Sequence, residues 1–463
     1  MTEQLKLKLN DSKATRWGAL VIVAFTMMAA YYVNDVVAPL KTMLETDLAW
    51  SSTDFGFFTG GYSFLNVFFL MLIWGGLILD RFGIRFTGKL ATILMVGGTA
   101  LEYYAMTGLA GADATLFGIN EIFGYKTGVF VAFAGYFIFG VGAEVAGITV
   151  SKIIAKWFKG KELATAMGVQ VALARIGSQA GYAVAIPLAR AFGISTPVLL
   201  GLVLLLGGMI AFFVFAVMDK KLDKQMEAAA IAAGTEDEEE KFSFKDVKNI
   251  LVNPGFWLIA LLCVLFYSCV FPFQKFASEL MIIKYGINEN VAGTFAGLPA
   301  LGALILTPVF GGFIDKRGKS ASIMLLGSAM LICVHFIYAI PDINYWLVAI
   351  VLMIILGIAF SLVPSAMWPA VAKIFPVSQL GTAYALIFFI QNIGLWGIPT
   401  LIGWVLDAYC ISGKKPDGTN MYDYTVPMCI FTGIACLSLI VALLLKKADK
   451  KYGYKLEEPN IQK

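Results

Sequence analysis

Apolar runs long enough to cross a bilayer recur along almost the whole chain, at about 17 to 40, 53 to 79, 88 to 107, 127 to 151, 163 to 189, 196 to 218, 256 to 278, 291 to 314, 320 to 340, 344 to 367, 380 to 405 and 426 to 445. About 20 apolar residues suffice for one helical crossing, and a chain in lipid must satisfy its backbone polar groups internally, which selects helices. An all-α membrane protein of twelve transmembrane helices is therefore expected. Composition agrees: 14% of the residues are charged, where a soluble domain carries about a quarter. The first run continues past Asn34 without a small-residue cleavage site and is read as an uncleaved span. Lipid is the expected surroundings, and a net charge of +4 gives no reason to expect a nucleic-acid partner. Of the six cysteines only Cys410 sits in a loop, so no disulfide framework is expected.

Cations gather in alternate connections: Arg81, Arg85 and Lys89; Lys152, Lys156, Lys159 and Lys161; Lys220, Lys221 and Lys224; Lys316, Arg317 and Lys319; Lys373; then Lys446 to Lys451. By the positive-inside rule both termini are cytoplasmic. Lys414 and Lys415 are a local exception, balanced by Asp407, Asp417 and Asp423. The longest polar segment, 219–253, holds the acidic run Glu236 to Glu240 and reads as a cytoplasmic linker between an N-terminal six-helix half, 1–218, and a C-terminal half with a cytoplasmic tail, 254–463.

The halves share a motif. Gly76-Leu77-Ile78-Leu79-Asp80-Arg81-Phe82-Gly83, followed by Arg85, reads G-x-x-x-D-[RK]-x-G, and so does Gly311-Gly312-Phe313-Ile314-Asp315-Lys316-Arg317-Gly318, followed by Lys319. Each stands at the cytoplasmic end of a span, and their recurrence half a chain apart resembles the parallel repeats of major facilitator transporters. Asp80 and Asp315 are placed to make contacts in one transport state and break them in another; the alternative is a topology signal with a tight turn at Gly83 and Gly318.

Ionisable groups inside a span cost at least about 2.5 to 3.5 kcal/mol and call for a partner or a function. Asp35, after Tyr31, Tyr32 and Asn34, is either an interfacial cap or a site residue. Glu144 lies in the small-residue stretch Gly140 to Gly147, and Arg175 lies with Gln179 and Tyr182 on one helical stripe. Counted from the cytoplasmic ends, Glu144 and Arg175 both lie roughly 18 to 20 Å deep. They are either a permanent ion pair or two charged hands for a ligand of both signs. Lys275 and Glu279 are spaced to pair at i,i+4, with a snorkelling lysine the simpler reading. His335, the sole histidine, is a proton carrier or a packed core residue. Pro364, Ser361, Ser365 and Trp368 make span ten irregular, as suits a cavity wall, and Gln391 and Asn392 add hydrogen-bonding capacity or interhelical glue.

Trp157-Phe158-Lys159-Gly160-Lys161-Glu162-Leu163 with Ala174-Arg175-Ile176-Gly177-Ser178 resembles the family of the lysosomal dipeptide uniporter, major facilitator superfamily domain-containing protein one, and its bacterial relatives. So do Ala366-Met367-Trp368-Pro369, Gln379 to Tyr384, Ile390-Gln391-Asn392, Val270 to Phe273 and, more loosely, Tyr32 to Leu40. The resemblance implies facilitated dipeptide transport by alternating access, with Glu144 and Arg175 as substrate contacts and Trp368, Tyr31 and Tyr62 as walls. The chemistry fits, since a guanidinium grips a carboxylate bidentately and a carboxylate takes an ammonium. A glycosylated accessory subunit is implied only if the protein is a eukaryotic lysosomal relative; with no sequon in an outward loop and no dileucine signal before Arg16, a cell membrane is preferred over a lysosomal one. The E-x-x-E-R pattern of proton-coupled oligopeptide transporters is absent from span one. Neither H-E-x-x-H nor G-x-S-x-G occurs, so no enzyme, metal or cofactor is expected. The rival within the superfamily is an organic-anion antiporter or proton symporter, in which Arg175 binds a carboxylate and Glu144 is its counter-charge.

Overall fold

The computed structural model describes residues 8–111, 114–158, 161–233 and 244–459. Its helices are α1 (Lys13–Val36), α2 (Lys41–Leu48), α3 (Ser52–Phe68), α4 (Met71–Thr107), α5 (Thr127–Trp157), α6 (Leu163–Phe192), α7 (Thr196–Ala233), α8 (Phe244–Val252), α9 (Pro254–Tyr285), α10 (Glu289–Ala296), α11 (Leu298–Arg317), α12 (Ser320–Ala339), α13 (Trp346–Ile374), α14 (Val377–Tyr409) and α15 (Thr425–Tyr452). Two short hairpins, β1–β2 (Glu121–Ile122, Tyr125–Lys126) and β3–β4 (Ile411–Lys414, Asn420–Tyr422), decorate the connections. Among the described residues nine helical stretches are long and apolar enough to cross a membrane, and the pair α3 and α4, bent by 60° at Phe69–Leu70, brings a tenth. Each predicted run falls on helix, but the second is broken at that bend and shares α4 with the third. Helical geometry in α4 is interrupted at the motif residue Gly83, at φ 75° and ψ 173°, where a side chain is disfavoured. The expected linker is helical at both edges, because α7 runs on to Ala233 and α8 begins at Phe244; the acidic run lies outside the described residues.

Local signals set several ends. The Asn253 side chain accepts from the Gly255 amide, Pro254 occupies the first turn of α9, and left-handed Gly286 closes it. In α13, Pro364 leaves the carbonyl ladder incomplete, while the Ser361 and Ser365 hydroxyls donate to Gly357 O and Ser361 O, at 2.7 Å each.

The two halves meet where α3 packs on α14 and where α6 packs on α10 and α11. Glycines bring the first pair together: a Cβ on Gly60 would stand 2.7 Å from both Thr400 Oγ1 and Trp396 O, and one on Gly56 3.0 Å from Gly403 Cα. Gly60→Leu is expected to cost about 1 to 3 kcal/mol through overpacking, read as a lower melting temperature in detergent. Gly397→Leu on α14 is the control, since nothing stands within 4 Å of a Cβ there.

The end of the bundle away from the basic loops is sealed by charges that join the halves. Lys275 of α9 reaches across to Asn34 O at 2.6 Å and to Asp35 at 3.1 Å. Lys41 pairs with Glu45 and with Glu279 of α9, each at 2.5 Å, and Lys415, beyond β3, lies 3.4 Å from Glu45 and 3.5 Å from Glu279. Asp407 of α14 accepts from the Thr53 amide at 2.6 Å and the Tyr422 hydroxyl at 2.7 Å, so it caps α3. Neither reading of Lys275 holds, the snorkelling lysine or the i,i+4 pair with Glu279: both side chains are buried, each against a charge of the other half.

At the basic end, charges of the first half pair with one another and with the start of the 219–253 segment. Asp80 pairs with Lys152 at 3.1 Å and Arg85 with Asp223 at 2.6 Å, while Arg81 lies over the neighbouring Phe82 ring. Gly318 is left-handed at φ 70°, as is Lys319 at φ 64°; Gly76 and Gly311 face open space. The segment after α15 docks beside this second motif, where the Lys319 and Ser320 amides donate to Glu457 O and Leu456 O. The Glu457 carboxylate accepts from Ser322 N and Oγ, both at 2.8 Å, at the first turn of α12. Glu457→Ala is expected to lose about 1 kcal/mol of capping, seen as a small drop in melting temperature that Glu457→Gln largely avoids.

Candidate substrate cavity

Between the halves lies a cavity of about 840 Å³. Its floor, under the sealed end, carries Asn34, Tyr136 and Lys275; Leu72, Ser151, Thr307 and Gly381 line it toward the basic end. The fold thus stands closed on one side and accessible from the other, as an alternating-access carrier does.

Glu144 and Arg175 both line the cavity. Among the described residues they form no ion pair with each other. Glu144 accepts the Tyr62 hydroxyl at 3.0 Å, and the Arg175 guanidinium lies 5.6 Å from the Tyr31 ring centroid and 4.9 Å from that of Phe360. A cation stacked on two rings is stabilised without giving up its hydrogen-bond donors. The permanent pair of the first alternative is not formed among the described residues.

Trp368, Tyr31, Tyr62, Gln391 and Asn392 also line the cavity. The Trp368 ring lies 4.8 Å from Phe388 and 5.8 Å from Tyr384. Three expected residues do not line it. Asp35 is engaged by Lys275 below the floor. Gln179 donates to Thr294 O at 3.3 Å and crowds Gly297, and Tyr182 is buried with its carbonyl against Gly293. The stripe that begins at Arg175 leaves the cavity one turn later, because the outer end of α6 is pressed against α10. His335 is a packed residue: its Nε2 is 3.0 Å from Cys269 O and its ring stacks on Phe431.

Sequence reasoning passed over Ser63, Tyr136, Tyr267, Phe271 and Phe360 as cavity residues. Aromatic and hydroxyl side chains in an apolar span carry no charge penalty that would single them out. Lys275 carried that signal but was read as snorkelling, since its partner lies 240 residues away.

The sequence profile of the Major Facilitator Superfamily matches residues 20–398 and 284–458. The chain belongs to the Major Facilitator Superfamily. It is 29% identical over 454 residues to the lysosomal dipeptide transporter MFSD1 of Homo sapiens, covering 95% of this chain and 88% of that protein. To MFSD1 of Gallus gallus it is 33% identical over 287 residues, 59% of this chain and 62% of the relative. Among solved structures, the nucleoside transporter NupG aligns with a TM-score of 0.68 at 12% identity, over 92% of this chain and 98% of that one. A D-xylose-proton symporter aligns at 0.64 and 15%, over 93% and 97%. These structural likenesses establish the superfamily fold. This superfamily member is accordingly a multi-pass membrane transporter of a small-molecule substrate, embedded in lipid.

Proposed function

We propose that the protein carries dipeptides across a cell membrane by alternating access, as a uniporter or a proton-linked carrier. Arg175 receives the substrate carboxylate and Glu144 the ammonium. Twelve crossings with both termini cytoplasmic, and halves at 1–218 and 254–463 joined by 219–253, complete the reading, with the Asp80 and Asp315 motifs biasing which face is closed. The observation that carries it is the pair of opposite charges that share one cavity while neither neutralises the other. The likeness to MFSD1, named as a lysosomal dipeptide transporter, supports the same substrate class.

A second reading, an organic-anion antiporter or proton symporter, draws on Lys275, which gives the cavity two cations against the one carboxylate of Glu144. Lys275 is held by Asp35, which favours the dipeptide. Uptake by proteoliposomes of labelled dipeptides, set against mono- and dicarboxylates, separates the two: the proposal expects dipeptide flux that dicarboxylates do not compete, and saturable carboxylate flux alone would refute it.

A further inference from the structure

The connection between α4 and α5 carries one pattern twice, an apolar residue, Phe-Gly and a second apolar residue, at Leu116-Phe117-Gly118-Ile119 and Ile122-Phe123-Gly124-Tyr125. Each copy folds as a two-residue turn. Leu116 and Ile119 exchange both backbone hydrogen bonds at 3.0 Å, and Ile122 pairs with Tyr125 in the β1–β2 hairpin. Both central residues of each turn have positive φ, 55° and 78° at Phe117-Gly118 and 53° and 81° at Phe123-Gly124. Turns of this kind favour Asn-Gly or Asp-Gly. A bulky ring at the first position is strained, and such strain persists where the surroundings hold it. Packing within the chain does not hold it, because Phe117 is 95% exposed and Phe123 89%.

The loop that carries the two rings is itself fixed at the sealed end. The Thr127 amide donates to Asn120 O at 2.9 Å and its hydroxyl to Ile119 O at 2.8 Å. Tyr125 stacks on Phe57 of α3 at 3.9 Å, and Lys126 Nζ donates to Ala49 O. The Phe123 ring lies 5.9 Å from Phe130 in the first turns of α5, where a column of rings begins that runs through Phe133 and Phe64 to the exposed Phe68. Phe68 does not line the cavity, so on a spanning helix its exposed ring faces lipid. The turn tips thus continue the lipid-facing surface at the edge of the bilayer.

We propose that residues 116–125 are a membrane-surface anchor, with Phe117 and Phe123 inserted at the boundary of headgroups and acyl chains in the leaflet at the sealed end. Rings at this depth are stabilised by leaving water while their polar neighbours stay wet; here the exposed Asn120 and Glu121 stand between the two tips. A protein partner fits less well. Two phenylalanine rings bring roughly 300 to 500 Å², short of the about 800 Å² per side of a stable protein interface.

The test places p-benzoylphenylalanine at Phe117, at Phe123 or, as a control, at the exposed Thr46 of the same end, in the full chain reconstituted in phosphatidylcholine vesicles, and reads photo-adducts by mass spectrometry. Phospholipid adducts are expected at 117 and 123 in clear excess over 46. Adducts no more frequent than at 46, or crosslinks to a second copy in place of lipid, would overturn the anchor. A second measurement uses Phe117→Asn, Phe123→Asn, which puts at both tips a residue the turn conformation favours and so preserves the fold. In lipid nanodiscs its amides over 114–126 are expected to exchange roughly tenfold faster than those of wild type, since the loop has lost its apolar hold. Equal exchange rates in the two proteins would also overturn the proposal.

Discussion

Arg175→Lys and Glu144→Gln are each expected to abolish the stabilisation that millimolar dipeptide gives the wild-type protein, with the melting temperature of the unliganded protein nearly unchanged. The second half of that expectation follows from the structure. Arg175 rests on Tyr31 and Phe360 and Glu144 accepts from Tyr62, so neither substitution strands a buried ionic partner of opposite sign. The loss in binding follows from chemistry. A hydrogen bond to a charged group contributes about 1.5 to 3 kcal/mol, so losing one end is a loss of roughly 10- to 100-fold. Lysine keeps the charge of Arg175 but not the planar fork that matches a carboxylate, which makes it the stricter substitution. Dipeptide titration by thermal shift checks both variants; wild-type stabilisation in both would show that the pair does not hold the substrate.

The second large effect is expected at the sealed end. Lys41, Glu45, Glu279 and Lys415 form a neutral cluster of two cations and two carboxylates drawn from both halves, with the Tyr424 hydroxyl donating to Glu279. Removing one member of a buried pair costs about 3 to 5 kcal/mol, chiefly because the other charge is left uncompensated. Opening the seam lets water reach the stranded charge, so Lys41→Met shifts the population toward a conformation open at this end. Spin labels at Thr46 and Tyr345, exposed at this end in opposite halves, are expected to report a longer mean separation in Lys41→Met than in the otherwise wild-type protein. The double variant Lys41→Met, Glu279→Gln removes both charges of one pair and is expected to recover part of the short-distance population. Equal distance distributions in all three proteins would show that the cluster does not act as a gate.

The sequence made the scaffold legible because lipid imposes a strict grammar: apolar runs become helix, and cations mark one side. Glu144 and Arg175 were legible for the same reason, since a charge in such a run stands out by its cost. What spacing along one helix does not encode is which partner a side chain takes from another helix. Lys275 and Glu279 sit one turn apart, yet Lys275 turned to Asp35 and Glu279 to Lys41, because closing the halves offered each a buried charge of opposite sign. Gln179 and Tyr182 do share a face with Arg175, but the helix passes out of the cavity into the α6–α10 seam before reaching them. Ser63 and Phe360 were illegible in principle, since a hydroxyl or a ring in a span is ordinary until a cavity is found beside it.

Titration of the wild-type protein with L-alanyl-L-alanine, N-acetyl-L-alanyl-L-alanine and L-alanyl-L-alaninamide tests the two-handed grip on a zwitterion most directly. Only the unblocked dipeptide is expected to stabilise the protein fully, with each blocked form weakened by at least about tenfold through the loss of one charge-assisted contact. Binding of the acetylated peptide as tight as that of the free dipeptide would contradict it and return Glu144 to the part of a mere counter-charge.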